Sequence, residues 1–140
     1  MGELMIKILI ADDHAIVREG LKQILSQTAD MVVVSEASNG QEAIDKLAGN
    51  NIDLIVLDIS MPGKDGLDVL SEIMSKRPQL PVLILSIYPA EQYAVRVLKA
   101  GASGYLTKES APDELVKAIR QISEGKKYIS PSLAEKLALV

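Results

Sequence analysis

Three carboxylates, a hydroxyl and an ammonium stand in this sequence where runs of apolar residues stop. Ile8-Leu9-Ile10-Ala11 runs into the adjacent pair Asp12 and Asp13, and Leu54-Ile55-Val56-Leu57 delivers Asp58. Pro81-Val82-Leu83-Ile84-Leu85 ends on Ser86, and Gly104-Tyr105-Leu106-Thr107 is followed by Lys108. Brought together, these groups suit phosphoryl chemistry around a hard cation. Mg²⁺ accepts a few carboxylate oxygens, keeps several waters and shares the rest of its shell with phosphate oxygens. Without such a cation crowded carboxylates repel, which raises the proton affinity of at least one of them. An ammonium neutralises a phosphoryl oxygen and a hydroxyl donates to another, so each group has a task in stabilising a transferred PO₃ unit.

These groups meet only if the apolar runs are strands that end on one rim. Met5 to Ala11, Met31 to Ala37, the run ending at Asp58, Pro81 to Ser86 and Gly104 to Thr107 read as strands, the second rich in β-branched residues. Between them apolar residues recur at three- and four-residue steps, which predicts helices. The first carries Ile16/Val17, Gly20/Leu21 and Ile24/Leu25 on one side, with Arg18, Glu19, Lys22 and Gln23 facing away. The second, capped by Ser38 or Asn39, carries Ala43, Ile44 and Leu47. The third carries Leu67, Leu70, Ile73 and Met74 after a loop broken by Pro62-Gly63 and Asp65-Gly66. A fourth, from about Ala90 to Ala100, has Val95 and Leu98 as its apolar pair and is stopped by Gly101, and a fifth opens at Pro112 with Leu115, Ile119 and Ile122 in one stripe. Strand and helix alternating five times predicts an α/β doubly wound fold, a five-stranded parallel sheet covered on both faces. The first and third strands are neighbours in the flavodoxin-like order 2-1-3-4-5, whose switch point lies between them.

Composition narrows the classes. A length of 140 residues suits one domain with a short tail. A hydrophobic share of 48% with no Phe and no Trp means a core of Ile, Leu, Val and Ala. A formal net charge of -4 offers no overall basic footprint for gripping nucleic acid. The absence of Cys excludes disulfides and thiol chemistry. The apolar runs fall far short of the roughly 18 residues of a membrane span, and no signal peptide is seen, so a cytoplasmic location is expected.

Ala11-Asp12-Asp13-His14, Leu57-Asp58-Ile59-Ser60-Met61-Pro62 with Gly66, Leu85-Ser86 and Gly101-Ala102-Ser103-Gly104-Tyr105-Leu106-Thr107-Lys108 together resemble the receiver domain of bacterial two-component response regulators. The likeness runs from about Met5 to Gly125, and Val17-Arg18-Glu19-Gly20-Leu21 is similar to the NarL/FixJ (LuxR-type) subgroup. The resemblance implies that Asp58 is the phosphoacceptor, taking its phosphoryl group from a phosphohistidine on a sensor histidine kinase. It implies that Asp13 ligates Mg²⁺ directly, Asp12 mostly through water, and Ser60 through its backbone carbonyl. Ser86 matches the hydroxyl that moves toward the phosphoryl group, Lys108 the lysine that pairs with it, and Tyr105 the aromatic that swings inward. It further implies a receiver domain over residues 1–125, and over 126–140 a linker whose helix begins at Ser130-Pro131 with Leu133 and Leu137. DNA would be reached only through a C-terminal helix-turn-helix domain missing from these residues, with a transient homodimer forming on phosphorylation and no membrane contact. Two departures stand out. Ile87 replaces the usual small residue after the strand-four hydroxyl and is expected to restrict access to Asp58 and the swing of Tyr105, and Glu109 follows Lys108 where many relatives have Pro; Ser60 and Tyr88, two residues past Asp58 and Ser86, match positions that tune phosphoryl lifetime.

Plainer readings compete. A lone strand-end carboxylate is as often a cap as a nucleophile, Lys108 could be a solvated lysine, and Tyr105 could be packing. His14 reads better as a helix-terminus residue than as a ligand. Among whole functions, a stand-alone receiver acting through a protein partner is one alternative. An Asp-nucleophile phosphatase is another, weakened because such enzymes place a second Asp where this chain has Ser60.

Overall fold

The computed structural model describes residues 5–49, 51–63, 65–87, 90–130 and 134–135. Ten elements alternate: β1 (Ile6–Ala11), α1 (Ala15–Ser26), β2 (Met31–Ala37), α2 (Gly40–Gly49), β3 (Leu54–Asp58), α3 (Gly66–Lys76), β4 (Val82–Ser86), α4 (Ala90–Lys99), β5 (Gly104–Thr107) and α5 (Ala111–Ser123). The strands form one parallel sheet in the order β2-β1-β3-β4-β5, as the alternation and the rim argument predict. β3 and β4 are buried along their whole lengths, which is why they read as unbroken apolar runs.

The two-residue period of the strands sorts the core into two layers. Ile8, Ile10, Leu54, Val56, Leu83, Leu85 and Leu106 face α1 and α5. Leu9, Ala11, Ile55, Leu57, Val82, Ile84 and Tyr105 face α2, α3 and α4. In α5, Leu115, Ile119 and Ile122 are buried as the spacing predicts, with Ala111 and Ala118 beside them.

Other helix faces are rotated from the expected ones. On α4 the buried residues are Ala94 and Val97, while Val95 is 38% exposed. Small Ala94 lets the helix lie close to β5, so the larger Val95 is left at the margin. On α1, Leu21 and Leu25 are buried but Ile16 is exposed, and Arg18 does not project freely into solvent: it folds back onto the end of β1 and onto β2. Val69, absent from the expected α3 stripe, is buried against Gly40, whose place a Cβ would contest at 2.5 Å from Val69 Cγ2.

Helix starts follow from side-chain chemistry. Asn39 is the cap of α2, its Oδ1 accepting from the Glu42 amide at 2.8 Å, while Glu42 Oε1 accepts in return from the Ser38 amide at 2.7 Å. Asp65 caps α3 through the Leu67 amide at 2.8 Å.

After α5 the chain returns to the sheet. The Tyr128 amide donates to Ser103 O at 2.9 Å, Tyr128 bridges Gly104 in the parallel sense, and Lys127 Nζ donates to Ala102 O at 3.2 Å. The Tyr128 ring is buried in the α1/α5 layer, its hydroxyl donating to Glu114, whereas Ile129 packs on the other layer. Burial, followed by Glu114, pushes the Tyr128 phenol above its ordinary pKa, so it stays a donor. Removing this hydroxyl with Tyr128→Phe is expected to cost about 1–2 kcal/mol, because a partly buried carboxylate loses a donor. Urea unfolding checks it, and an unchanged midpoint would show the bond to be dispensable. The expected helix with Leu133 and Leu137 lies outside the described residues apart from Ala134 and Glu135, as does Tyr88.

Candidate functional site: an acidic rim at the sheet's carboxyl edge

Strand parity decides which groups meet. Ile8, Ile10, Val56 and Leu106 all face the α1/α5 layer, so the groups at even positions that continue β1, β3 and β5 turn the same way. Those groups are Asp12, Asp58 and Lys108. β1 and β5 flank the central β3–β4 pair, and the ammonium spans the rim: Lys108 Nζ lies 2.9 Å from Asp12 Oδ2 and 3.1 Å from Asp58 Oδ2. Asp12 and Asp58 are each 1% exposed. The backbone places Lys108 as well, since its amide donates to Ser86 O at 2.8 Å.

Ser86 and Tyr105 are held on the opposite layer. Ser86 is paired with Thr107 and Ile84 with Tyr105 across β4 and β5, so Ser86 and Tyr105 share the α2–α4 face, both buried. The sheet therefore presents a charged cluster on one side of the rim and a hydroxyl and a phenol on the other.

Asp58 Oδ1 accepts from the Ser60 amide at 2.9 Å, in a loop turning back at Pro62-Gly63. Burial holds the Asp58 carboxyl above the usual carboxylate range, and the Asp12 charge adds to this against the pull of the Ser60 amide and Lys108. Burial draws the Lys108 ammonium down, but Asp12 and Asp58 outweigh it and keep its pKa above the ordinary value. One ammonium thus compensates two buried acids incompletely. Lys108→Met is expected to destabilise the fold by about 1–2 kcal/mol at neutral pH, less than for a fully buried pair because the lysine keeps some solvent contact. Thermal melts check it. The loss should shrink on adding a divalent cation, and a loss unaffected by the cation would assign Lys108 a packing role only.

Asp12, Asp13, His14 and Asp58 can each offer a ligand atom within 4.8 Å of the others. The donor set fits a hard divalent cation on a specific observation: Asp12 Oδ2 and Asp13 Oδ1 are buried yet take no directed hydrogen bond, Asp12 Oδ2 having only its ion pair with Lys108. His14 stands at the N-cap of α1, as expected, without a side-chain cap bond; its Nδ1 lies 3.3 Å from both Asp12 Oδ1 and Asp13 Oδ1, and its ring is largely exposed. Ile87, expected to restrict access to Asp58, is 66% exposed at the end of β4. Ser60 is exposed in the loop beside Asp58.

Sequence spacing did not single out Arg18. Its Nη1 donates to Asp12 O at 2.6 Å and its Nε to Glu36 Oε1 at 3.0 Å. The signal open to a reader was its place, six residues after Asp12, one turn into a helix that starts beside the acidic pair.

Comparison with known proteins points to one family. Residues 8–120 match the family model described as the response regulator receiver domain. The chain is 38% identical over 137 residues to the transcriptional regulatory protein DegU of Brevibacillus brevis, covering 98% of this chain and 58% of that protein. It thus spans somewhat over half of that curated relative's length. A crystal structure of a LuxR-family two-component response regulator from Aurantimonas sp. SI85-9A1 superposes with a TM-score of 0.90 at 34% identity, covering 96% of both chains. The isolated receiver domain of RcsB from Salmonella enterica serovar Typhimurium, solved with the phosphomimetic BeF₃⁻, superposes with a TM-score of 0.87 at 29% identity over 94% of this chain and 97% of that one. With four-fifths of its length inside the family model and a fold shared across the whole sheet, the chain belongs to the response regulator receiver domain family, among relatives of the LuxR type.

Proposed function

We propose that Asp58 is the phosphoacceptor of a two-component signalling switch. The observation that carries this reading is the Lys108 ammonium shared between Asp58 and Asp12 at a rim where one further buried carboxylate oxygen, Asp13 Oδ1, takes no directed hydrogen bond. An Asp58 carboxylate oxygen attacks the phosphorus of a phosphohistidine on a sensor histidine kinase. The P–N bond breaks, imidazole leaves with the bonding electron pair, and an acyl phosphate remains on Asp58. Asp13, Asp12, Asp58 and the Ser60 carbonyl would hold Mg²⁺, which when bound supplies positive charge to the phosphoryl oxygens. Lys108 stays on the product, trading a carboxylate oxygen for a phosphoryl oxygen, while the Ser60 amide continues to orient the Asp58 group. Ser86 would turn its hydroxyl toward the phosphoryl group, and Tyr105, on the same face, would follow it inward.

On this reading the chain is a switch and not a turnover enzyme. Residues 1–125 form the receiver, and 126–140 lead toward a C-terminal DNA-binding domain. The likeness to DegU, a transcriptional regulatory protein of which this chain covers 58%, supports such an output. Transient homodimerisation on phosphorylation belongs to the same reading, and so does a cytoplasmic place; no helix among the described residues is long and apolar enough to cross a membrane. Incubation with acetyl phosphate and Mg²⁺, followed by intact-mass measurement, should add one acid-labile phosphoryl group. Sustained release of phosphate from unrelated esters would favour the phosphatase alternative instead.

A further inference from the structure

The acidic turn after β1 is held from outside the cluster. The Asp12 amide donates to Ala37 O, at the end of β2, at 3.0 Å. The Asp12 carbonyl accepts from Arg18 Nη1 at 2.6 Å. Both sides of Asp12 are therefore tied, and the second tie sets the peptide plane that joins Asp12 to Asp13. Within the turn the His14 amide donates to Asp12 Oδ1 at 2.8 Å, and Asp13 Oδ1, buried and without a directed hydrogen bond, lies 3.3 Å from His14 Nδ1. Arg18 is itself fixed: its side chain is 19% exposed, and its Nε donates to Glu36 Oε1. Glu36 Oε2 accepts from Lys22 Nζ at 2.8 Å, and the Glu36 carbonyl accepts from Lys46. A planar guanidinium holds a backbone carbonyl and a carboxylate in fixed relative directions, whereas a lysine ammonium on a flexible stem can contact two groups without fixing the geometry between them.

We propose that Arg18 is a positioning residue for the cation site, orienting the Asp12–Asp13 peptide so that both carboxylates enter the rim, with Glu36 on β2 as its anchor. This rests on the reading of the rim as a Mg²⁺ site. Two physical effects of Arg18 have opposite signs. Its positive charge near the acids disfavours a second cation, so on charge alone its loss would tighten Mg²⁺ binding. Its grip on the turn favours binding, and removing groups that orient metal ligands typically weakens affinity about 10–100-fold.

The test is titration calorimetry of Mg²⁺ alone on the full chain, for the wild type, Arg18→Gln, Arg18→Lys, Lys22→Gln and Asp13→Asn. Lys22→Gln removes the same unit of charge from the same ion-pair cluster without touching Asp12. The expected result is Mg²⁺ binding weakened about tenfold in Arg18→Gln and by a smaller factor in Arg18→Lys, with Lys22→Gln equal to or slightly tighter than the wild type. With acetyl phosphate, the Mg²⁺ concentration giving half-maximal phosphorylation should rise about tenfold in Arg18→Gln, while the rate at saturating Mg²⁺ stays within about threefold. Unchanged or tighter binding in both Arg18 variants would overturn the positioning role, as would a fall in Arg18→Gln matched by Lys22→Gln. If Arg18→Gln does not fold, the comparison of Arg18→Lys with Lys22→Gln decides alone. Absence of Mg²⁺ binding in the wild type, with Asp13→Asn indistinguishable from it, would instead remove the cation reading on which the proposal stands.

Discussion

Asp58→Asn is expected to abolish acceptance of a phosphoryl group from acetyl phosphate and, in the same protein, to raise the melting temperature in the absence of divalent cations. The two effects share one cause. The carboxylate proposed as the nucleophile is buried beside Asp12, and burial, more than any other influence, holds its pKa above the ordinary value. A carboxyl whose folded pKa is raised binds protons more readily in the folded than in the unfolded chain. Stability therefore falls as pH rises from the unfolded value of 3.8 through the folded one, and the penalty is complete above it. The amide of Asn keeps its one oxygen for the Ser60 amide, leaves Lys108 to Asp12 and drops the charge. The expected gain is about 0.5–2 kcal/mol, the range found when a costly functional feature is relieved, or roughly 2–6 °C for a chain of this size. Melting curves across pH 3 to 8 test the sign: the advantage of the variant should grow as pH rises and vanish at the acid end. Added Mg²⁺ should raise the melting temperature of the wild type more than that of the variant. A variant that melts below the wild type at pH 7, or one that still takes the label, would remove Asp58 from this role.

Gly66→Ala is expected to be among the most damaging single-methyl changes in the chain. A Cβ at Gly66 would lie 2.3 Å from the Ile59 carbonyl oxygen and 2.3 Å from Ile59 Cγ1. The oxygen is backbone and cannot swing aside, so relief requires moving the loop between β3 and α3. That loop includes Ser60, whose amide holds Asp58. A loss of about 3 kcal/mol is expected, near the upper end for overpacking, equivalent to about 10 °C. Gly20→Ala on α1 is the control of opposite sign. Nothing lies within 4 Å of its Cβ, and alanine in an exposed helix interior stabilises by about 0.5–1 kcal/mol. Denaturant unfolding of the two variants side by side checks the pair. Similar small effects in both would mean that the β3–α3 loop yields more readily than its packing indicates.

What could be read from the residues alone depended on whether neighbours along the chain determined the outcome. Strand and helix alternation rests on local periodicity, and it led to the observed sheet order because parallel crossovers admit few arrangements. Asp12, Asp58, Ser86 and Lys108 were found because they interrupt apolar runs, and a rim is where runs stop. The rotation of α4 could not be found this way: Val95 and Ala94 compete for one face, and contact with β5 favours the smaller side chain. Arg18 sits in a patch of charge typical of a solvated helix face. Its partners, Asp12 O and Glu36, lie on other elements, and no spacing rule connects them. Tyr128 escaped for the same reason, since a return to β5 after α5 leaves no periodic trace in five residues.

The segment around Tyr128 makes the two margins of the sheet unequal. At β2 the outer margin is a strand of Val32, Val33 and Val34, and Val34 is 42% exposed, a template on which a second extended chain could build. At β5 the corresponding hydrogen-bonding groups are capped by the chain's own residues, beginning with the Tyr128 amide on Ser103 O. Brief openings of that segment would uncover β5 without unfolding the core. Unwanted pairing between molecules should therefore start at β2 at rest, and at β5 only as often as Tyr128 lets go, which ties the colloidal behaviour of the protein to one phenol and one carboxylate.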